Sequence, residues 1–207
     1  MVLRKKKIYL NGREDEVARY LAPERLANID DFKKLKRTGQ PFACLTAYDY
    51  PTALIADKVG IPLLLVGDSL ASVILGYENT SAVTMEEMLH HVKPVVRGSN
   101  HALDVADLPF LSYGITDGET LRNAGRMLQE GGAHAVKIEG GQEVCSTVHL
   151  ITESGIPVMG HIGFTPQTAS ISANPKSDTS SEETMTILMQ DALELEKAGA
   201  FSVVLQR

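Results

Sequence analysis

Six short apolar runs, at residues 42–46, 62–66, 103–106, 133–138, 156–159 and 201–205, alternate with longer amphipathic stretches, and this alternation constrains the fold more than any other property of the chain. A run that is apolar at nearly every position suits a strand buried on both faces, and strands separated by helical segments pair in parallel. Helices are expected at residues 51–59, 84–97, 117–130, 142–153 and 181–198. The third carries its own start signal, with Thr116 placed as N-cap and Glu119 three positions on, and it stops at Gly131-Gly132. Gly60, Gly155 and Gly199 end other helices in the same way, so a glycine exit into the next strand recurs along the chain.

Such βα units either close into a barrel or lie open as a doubly wound sheet. The first strand is not followed by G-x-G-x-x-G, and there is no Walker A sequence, which removes the usual signature of the open alternative. Four runs instead end in a polar group, namely Asp68, Asp107, Glu139 and His161, at the strand ends where barrel enzymes carry their chemistry. The expected class is therefore α/β, a (β/α)8 TIM barrel. Leu26, Ile29, Phe32 and Leu35 recur at helical spacing within residues 23–37 and predict a helix capping the base of the barrel. This divides the chain into an N-terminal appendage, residues 1–22, and an incomplete (β/α) barrel catalytic domain, residues 23–207.

With 43% hydrophobic residues in 207, there is material for one sizeable core, yet every apolar run is broken long before the roughly 20 residues a bilayer demands. No membrane association is expected, and the polar residues after Leu10 do not resemble an export signal. Cys44 and Cys145 stand alone without CxxC spacing, which fits free, buried thiols in a reducing cytoplasm. Residues 1–40 hold 11 Lys/Arg against 6 Asp/Glu and the remainder 9 against 20. The basic leader reads as solvated helix faces, not a nucleic-acid surface, and the acidic body suits a divalent cation better than a phosphate.

In a closed barrel the polar strand ends converge. Two aspartates and a glutamate brought together repel one another unless a cation compensates them, and hard carboxylate oxygens without thiolates suit Mg²⁺. Asp68, Asp107 and Glu139 are the candidate metal residues. Asp68, Ser69, Asp107, Lys137 and His161 are the candidate substrate contacts, with Lys137 able to neutralise a carboxylate of a 2-oxo acid. Glu86/His90 and Glu87/His91 share faces at i,i+4 spacing but lack the H-E-x-x-H order, and read as a solvated helix face. His101, His134 and His149 have no partner evident in the sequence, and Met85, Met88 and Met127 read as core filler.

Five ordered blocks carry a resemblance: Leu45-Thr-Ala-Tyr-Asp49, Leu65-Val-Gly-Asp-Ser69, Ala106-Asp-Leu-Pro-Phe110, Val136-Lys-Ile-Glu-Gly-Gly141 and Gly160-His-Ile-Gly-Phe-Thr-Pro-Gln167. Across residues 23–207 the chain resembles the ketopantoate (3-methyl-2-oxobutanoate) hydroxymethyltransferases of the phosphoenolpyruvate mutase and isocitrate lyase superfamily. The resemblance implies transfer of a hydroxymethyl group from 5,10-methylenetetrahydrofolate to 3-methyl-2-oxobutanoate, giving 2-dehydropantoate for pantothenate and coenzyme A synthesis, in a homo-oligomer that uses Mg²⁺. It implies that Asp68, Asp107 and Glu139 hold or surround the metal, that Asp68, Ser69, Asp107 and Lys137 contact the oxo acid, and that His161 lies in the pocket.

Three departures accompany the resemblance. The family's catalytic glutamate at the end of the sixth strand is replaced by Gln206, a neutral amide that cannot take up a proton as a carboxylate base does. Residues 172–181 replace a glycine-rich, basic loop. The family continues through two more strands, so the expectation is a barrel truncated after the sixth, with open strand edges. Two rival readings follow: a related superfamily lyase acting on another 2-oxo acid, and a non-catalytic or truncated paralogue that binds the oxo acid or a full-length subunit.

Overall fold

The computed structural model describes residues 25–169 and 182–206. The proposed appendage, the boundary at residue 23, the whole of the replaced loop and the predicted start of the last helix at residue 181 lie outside the described residues.

The elements run α1 (Ile29–Arg37), β1 (Cys44–Thr46), α2 (Tyr50–Val59), β2 (Leu63–Val66), α3 (Leu70–Val73), α4 (Met85–Gly98), β3 (Leu103–Asp107), α5 (Asp117–Gln129), β4 (Ala135–Glu139), α6 (Cys145–Glu153), β5 (Val158–Gly163), α7 (Pro166–Ala169), α8 (Glu182–Lys197) and β6 (Ser202–Gln206). The six strands form one parallel sheet in the order β1-β2-β3-β4-β5-β6. A doubly wound sheet reverses its strand order at a switch point. An unbroken order with right-handed crossovers places every crossover on the same face, as in a barrel wall. The choice that periodicity left open is thus settled in favour of the barrel.

Local signals account for the element ends. Thr84 and Thr116 each accept a hydrogen bond from the backbone N–H three residues on, from Glu87 and Glu119 respectively. At the end of α2, Gly60 adopts φ 90°, the left-handed cap that lets the chain turn straight into β2. The N-terminal helix begins later than the periodicity suggested. Asn28 and Asp31 form a capping box that fixes its first turn at Ile29, and the apolar spacing that included Leu26 did not register this cap.

Two apolar layers flank the sheet. Leu64, Val66, Ala106, Val136, Ile138, Val158 and Ile162 face α4, α5, α6 and α8, whereas Leu63, Leu103, Val105, Ala135 and Met159 face inward and pack on Phe32 and Leu35 of α1. α1 therefore closes the base of the wall. Met88 and Met127 are fully buried and Met85 nearly so, as core residues. β2 to β5 are covered on both faces, but β1 and β6 are edges. This corrects the expectation of buried thiols: Cys44, on edge strand β1, is exposed and Cys145 half-buried, though both are free. Leu45 and Leu205 on the same edges are also exposed. Among the described residues no helix is long and apolar enough to cross a membrane.

Candidate active site

Alternation along the strands creates the site. On the inward face β3 reads Leu103, Val105, Asp107, β4 reads Ala135, Lys137, Glu139, and β5 reads Met159, His161. Each strand is apolar at its base and ionisable toward its C-terminal end. Register then sets the neighbours, because Asp107 pairs with Lys137 and Glu139 pairs with His161. These four side chains are all buried, as is Asp68, which follows β2.

The contacts follow the register. Lys137 Nζ lies 3.2 Å from Asp107 Oδ2. The same oxygen accepts the Asp68 backbone N–H at 3.0 Å, which joins the ends of β2 and β3. His161 Nδ1 lies 3.1 Å from Glu139 Oε1 and 3.2 Å from Lys137 Nζ. One ring nitrogen either donates to the carboxylate or accepts from the ammonium, so a proton shift along this triple exchanges one hydrogen bond for the other. Ser69 Oγ is 2.8 Å from the hydroxyl of Tyr48.

Burial dominates the electrostatics. It pushes Asp107 up to about 6, with the Lys137 charge opposing and the Asp68 charge adding to the rise. Asp68 is also raised by burial, against the hydrogen bond from Gln167 and the charge of Lys137. The hydroxyl of Tyr113 is pushed well above the usual phenol range by burial. Asp107 Oδ1 and His161 Nε2 are buried and have no hydrogen-bond partner. A carboxylate oxygen held dry without a donor is an acceptor waiting for a cation or a polar ligand atom.

Of the candidate site residues, Asp68, Asp107, Lys137, Glu139 and His161 belong to this network, Ser69 stands beside it bonded to Tyr48, and Gln206 lies apart. Gln206 stands at the exposed end of β6, paired with Gly163 and on the same face as His161, two residues beyond Val204. The three carboxylates form no ready-made cage: among the described residues, no group of three or more His, Cys, Asp and Glu is arranged to hold a metal ion. Glu139 commits one oxygen to His161 and the other to the backbone N–H of Gln167. Asp107, with its unpartnered Oδ1, and the adjacent Asp68 are the better fit to Mg²⁺, which takes one or two protein carboxylates and keeps waters or substrate oxygens for the rest.

Tyr48, Tyr113 and Gln167 belong to the network and were not singled out beforehand. Tyr48 and Gln167 lie inside quoted blocks, directly after strands, and that position was the available signal. Tyr113 offered none beyond an aromatic in a loop. A cleft of about 350 Å³ opens beside Tyr113 and Gln167, lined also by Glu139, Glu143, Thr147 and Thr165 among others. Leu111, on its rim, is exposed and holds φ 59°, a left-handed conformation rare for a leucine.

His91, His101, His134 and His149 have structural partners that the sequence did not reveal. His101 Nδ1 lies 2.8 Å from Asp57 Oδ2, His134 accepts the Asp104 backbone N–H, and His149 lies 3.6 Å from Glu153. His91 Nδ1 is 2.8 Å from the Tyr48 carbonyl, and the side chain of Glu87 bonds to Thr84 and Tyr77, so this pair is not a metal site.

A parallel wall with acids, a lysine and a histidine at its C-terminal mouth defines the class as a (β/α) barrel with its polar site at the strand ends. Solved structures agree on the fold. A putative phosphonomutase from Burkholderia cenocepacia has a TM-score of 0.66 at 16% identity, covering 86% of this chain and 74% of that one. A 2,3-dimethylmalate lyase, itself a member of the phosphoenolpyruvate mutase and isocitrate lyase superfamily, has a TM-score of 0.62 at 15% identity, covering 86% of this chain and 62% of that one. The sequence narrows the class further. The profile of the ketopantoate hydroxymethyltransferase family matches residues 27–207, and the chain belongs to that family. Proteins named 3-methyl-2-oxobutanoate hydroxymethyltransferase are 54% identical over 178 residues in Dehalococcoides mccartyi and 52% identical over 178 residues in Carboxydothermus hydrogenoformans. Each match covers 86% of this chain and 64% of the relative, so the chain spans a little under two thirds of the length of these curated relatives.

Proposed function

We propose that this chain binds 3-methyl-2-oxobutanoate with Mg²⁺ and takes part in its hydroxymethylation from 5,10-methylenetetrahydrofolate, giving 2-dehydropantoate. The observation that carries the reading is the inward, buried row of Asp107, Lys137, His161 and Glu139, with one Asp107 oxygen left without a donor. Asp68 and Asp107 would hold the ion, with Glu139 beside them. When bound, it supplies Lewis-acid polarisation of the 2-oxo group. Lys137 offers its charge to the substrate carboxylate, and the Ser69 hydroxyl, oriented by Tyr48, offers a hydrogen bond. His161, between Lys137 and Glu139, can hold or pass a proton within the site. The reading also includes assembly as a homo-oligomer and a cytoplasmic setting.

Gln206 favours a second reading, binding without turnover, because its amide does not accept the proton that must leave C3 of the oxo acid. The purified protein should be incubated with the oxo acid, Mg²⁺ and methylenetetrahydrofolate, with product followed by mass and C3 proton exchange followed by NMR in D2O. Turnover supports the first reading. A folded protein that binds the oxo acid but exchanges no proton supports the second, and one that binds none of a panel of 2-oxo acids removes both. Preference for another oxo acid with cleavage would indicate a related lyase.

A further inference from the structure

We infer that Gln167 is a positioning residue that fixes the Asp68 carboxylate in its one working orientation; the inference rests on the reading of Asp68 as a binding group. Gln167 lies in α7 and is almost wholly buried, at 1% exposure. Its side-chain Nε2 donates to Asp68 Oδ2 at 2.8 Å and to the Leu108 carbonyl at 3.0 Å. Its Oε1 accepts from the Tyr113 hydroxyl at 2.8 Å, and its backbone N–H donates to Glu139 Oε2 at 3.0 Å. One residue therefore ties together the ends of β2, β3 and β4 and the loop that carries Tyr113.

The partners settle the orientation of the amide. Asp68 Oδ2 and the Leu108 carbonyl are both pure acceptors, so they demand the NH₂ end, and the Tyr113 hydroxyl can donate to the carbonyl end. The hydroxyl in turn accepts the Glu139 backbone N–H at 3.1 Å, and its one proton has the shorter path to Gln167 Oε1, at 2.8 Å against 3.2 Å to the Glu139 carbonyl. Turned over, the amide would set its oxygen against two acceptors. The side chain is thus locked by three bonds in a dry setting, where an unmade bond is costly. A locked donor aimed at one oxygen of Asp68 selects a single carboxylate rotamer, as outer partners do for ligating carboxylates generally.

The test uses the full chain with Gln167→Met, similar in length but without donors or acceptor. Three-bond scalar couplings at Asp68 should report one χ1 rotamer in the parent and averaging over two or more in the variant. Mn²⁺ affinity of the otherwise ligand-free protein, read by electron paramagnetic resonance, should fall at least tenfold. Ile151→Val, a distant core change, should lower the melting temperature and move neither readout. An unchanged Asp68 rotamer in folded Gln167→Met would overturn the inference. Should that variant fail to fold, Tyr113→Phe, which frees Oε1, decides by the same couplings: averaging supports the inference and a single rotamer overturns it. A parent chain that binds no Mn²⁺ yet loses its single Asp68 rotamer on substitution supports the role of Gln167 and counts against the metal reading alone.

Discussion

Lys137 Nζ and Asp107 Oδ2 lie 3.2 Å apart as cross-strand neighbours on β4 and β3, and both side chains are at most 4% exposed. Removing one partner of a buried pair leaves the other charge uncompensated, a loss of about 3 kcal/mol or more. Lys137→Met should therefore lower stability by roughly that amount at pH 8. Asp107 already has its pKa raised by burial to about 6, above the unfolded value, so ionising it opposes folding progressively as pH rises. Without Lys137 this opposition grows, and the deficit of the variant should be smaller at pH 5 than at pH 8. Denaturant melts at the two pH values check this. Asp107→Asn in the same chain should recover part of the loss.

A second buried acid lies below the site and outside it. Asp104 faces away from the mouth at 1% exposure, and neither of its oxygens has a hydrogen-bond partner. His134 Nδ1, 3.6 Å from Asp104 Oδ2, already accepts the Asp104 backbone N–H and so has no proton to offer the carboxylate. Burial pushes Asp104 up to about 7, with the nearby Ser99 hydroxyl opposing the rise and the Asp57 charge adding to it. The folded pKa exceeds the unfolded one, so the chain is favoured while Asp104 is protonated and loses stability as pH climbs from about 4 to about 7. Asp104→Asn should raise the melting temperature at pH 8 and raise it much less at pH 5. An equal gain at both would show that Asp104 is not ionising in the folded state.

The fold was legible because its cause is local and repeated. Apolar runs, glycine exits and Thr caps each act within a few residues, and the strand-end acids stand out against apolar neighbours. Element ends were less so: the capping box at Asn28 outweighed a hydrophobic spacing that began earlier. Within the site, Asp107, Lys137, Glu139 and His161 were visible as exceptions in their strands. Their pairing was not, because it depends on register between strands far apart in sequence. Gln167 escaped notice for the same reason, since it meets Asp68 across 99 residues. The charge pattern suggested that a metal must balance the acids. The structure places Lys137 against one of them, Asp107, so part of that compensation is internal.

Gly163 sits where β5 leaves the sheet, at φ 92°. A Cβ there would come within 2.1 Å of the Gln206 carbonyl, which accepts the Phe164 N–H at 2.9 Å. Neither backbone can give way without parting the tops of β5 and β6. Gly163→Ala should cost about 2 kcal/mol or more, combining left-handed strain with the lost pairing. Hydrogen exchange should speed up at Phe164 and at β6 amides before it does at β2 or β3. Uniform protection in the variant would mean that the edge strand does not depend on this glycine.

Gln206 occupies the inward face of β6 at its exposed end, one alternation above Val204, which pairs with His161. A carboxylate at this position would stand on the same face as His161 of the neighbouring strand, near enough to water to ionise. Because the residue is exposed, Gln206→Glu should leave stability within about 0.5 kcal/mol of the parent. A positioned base contributes about 10² to 10⁴ in rate, so C3 proton exchange of 3-methyl-2-oxobutanoate in D2O should rise by at least a hundredfold, while affinity for the oxo acid stays nearly constant. That split between rate and binding separates the two proposed readings. A rise locates the missing proton acceptor at the end of β6, whereas unchanged exchange would place the proton acceptor elsewhere, with His161 the next group to substitute.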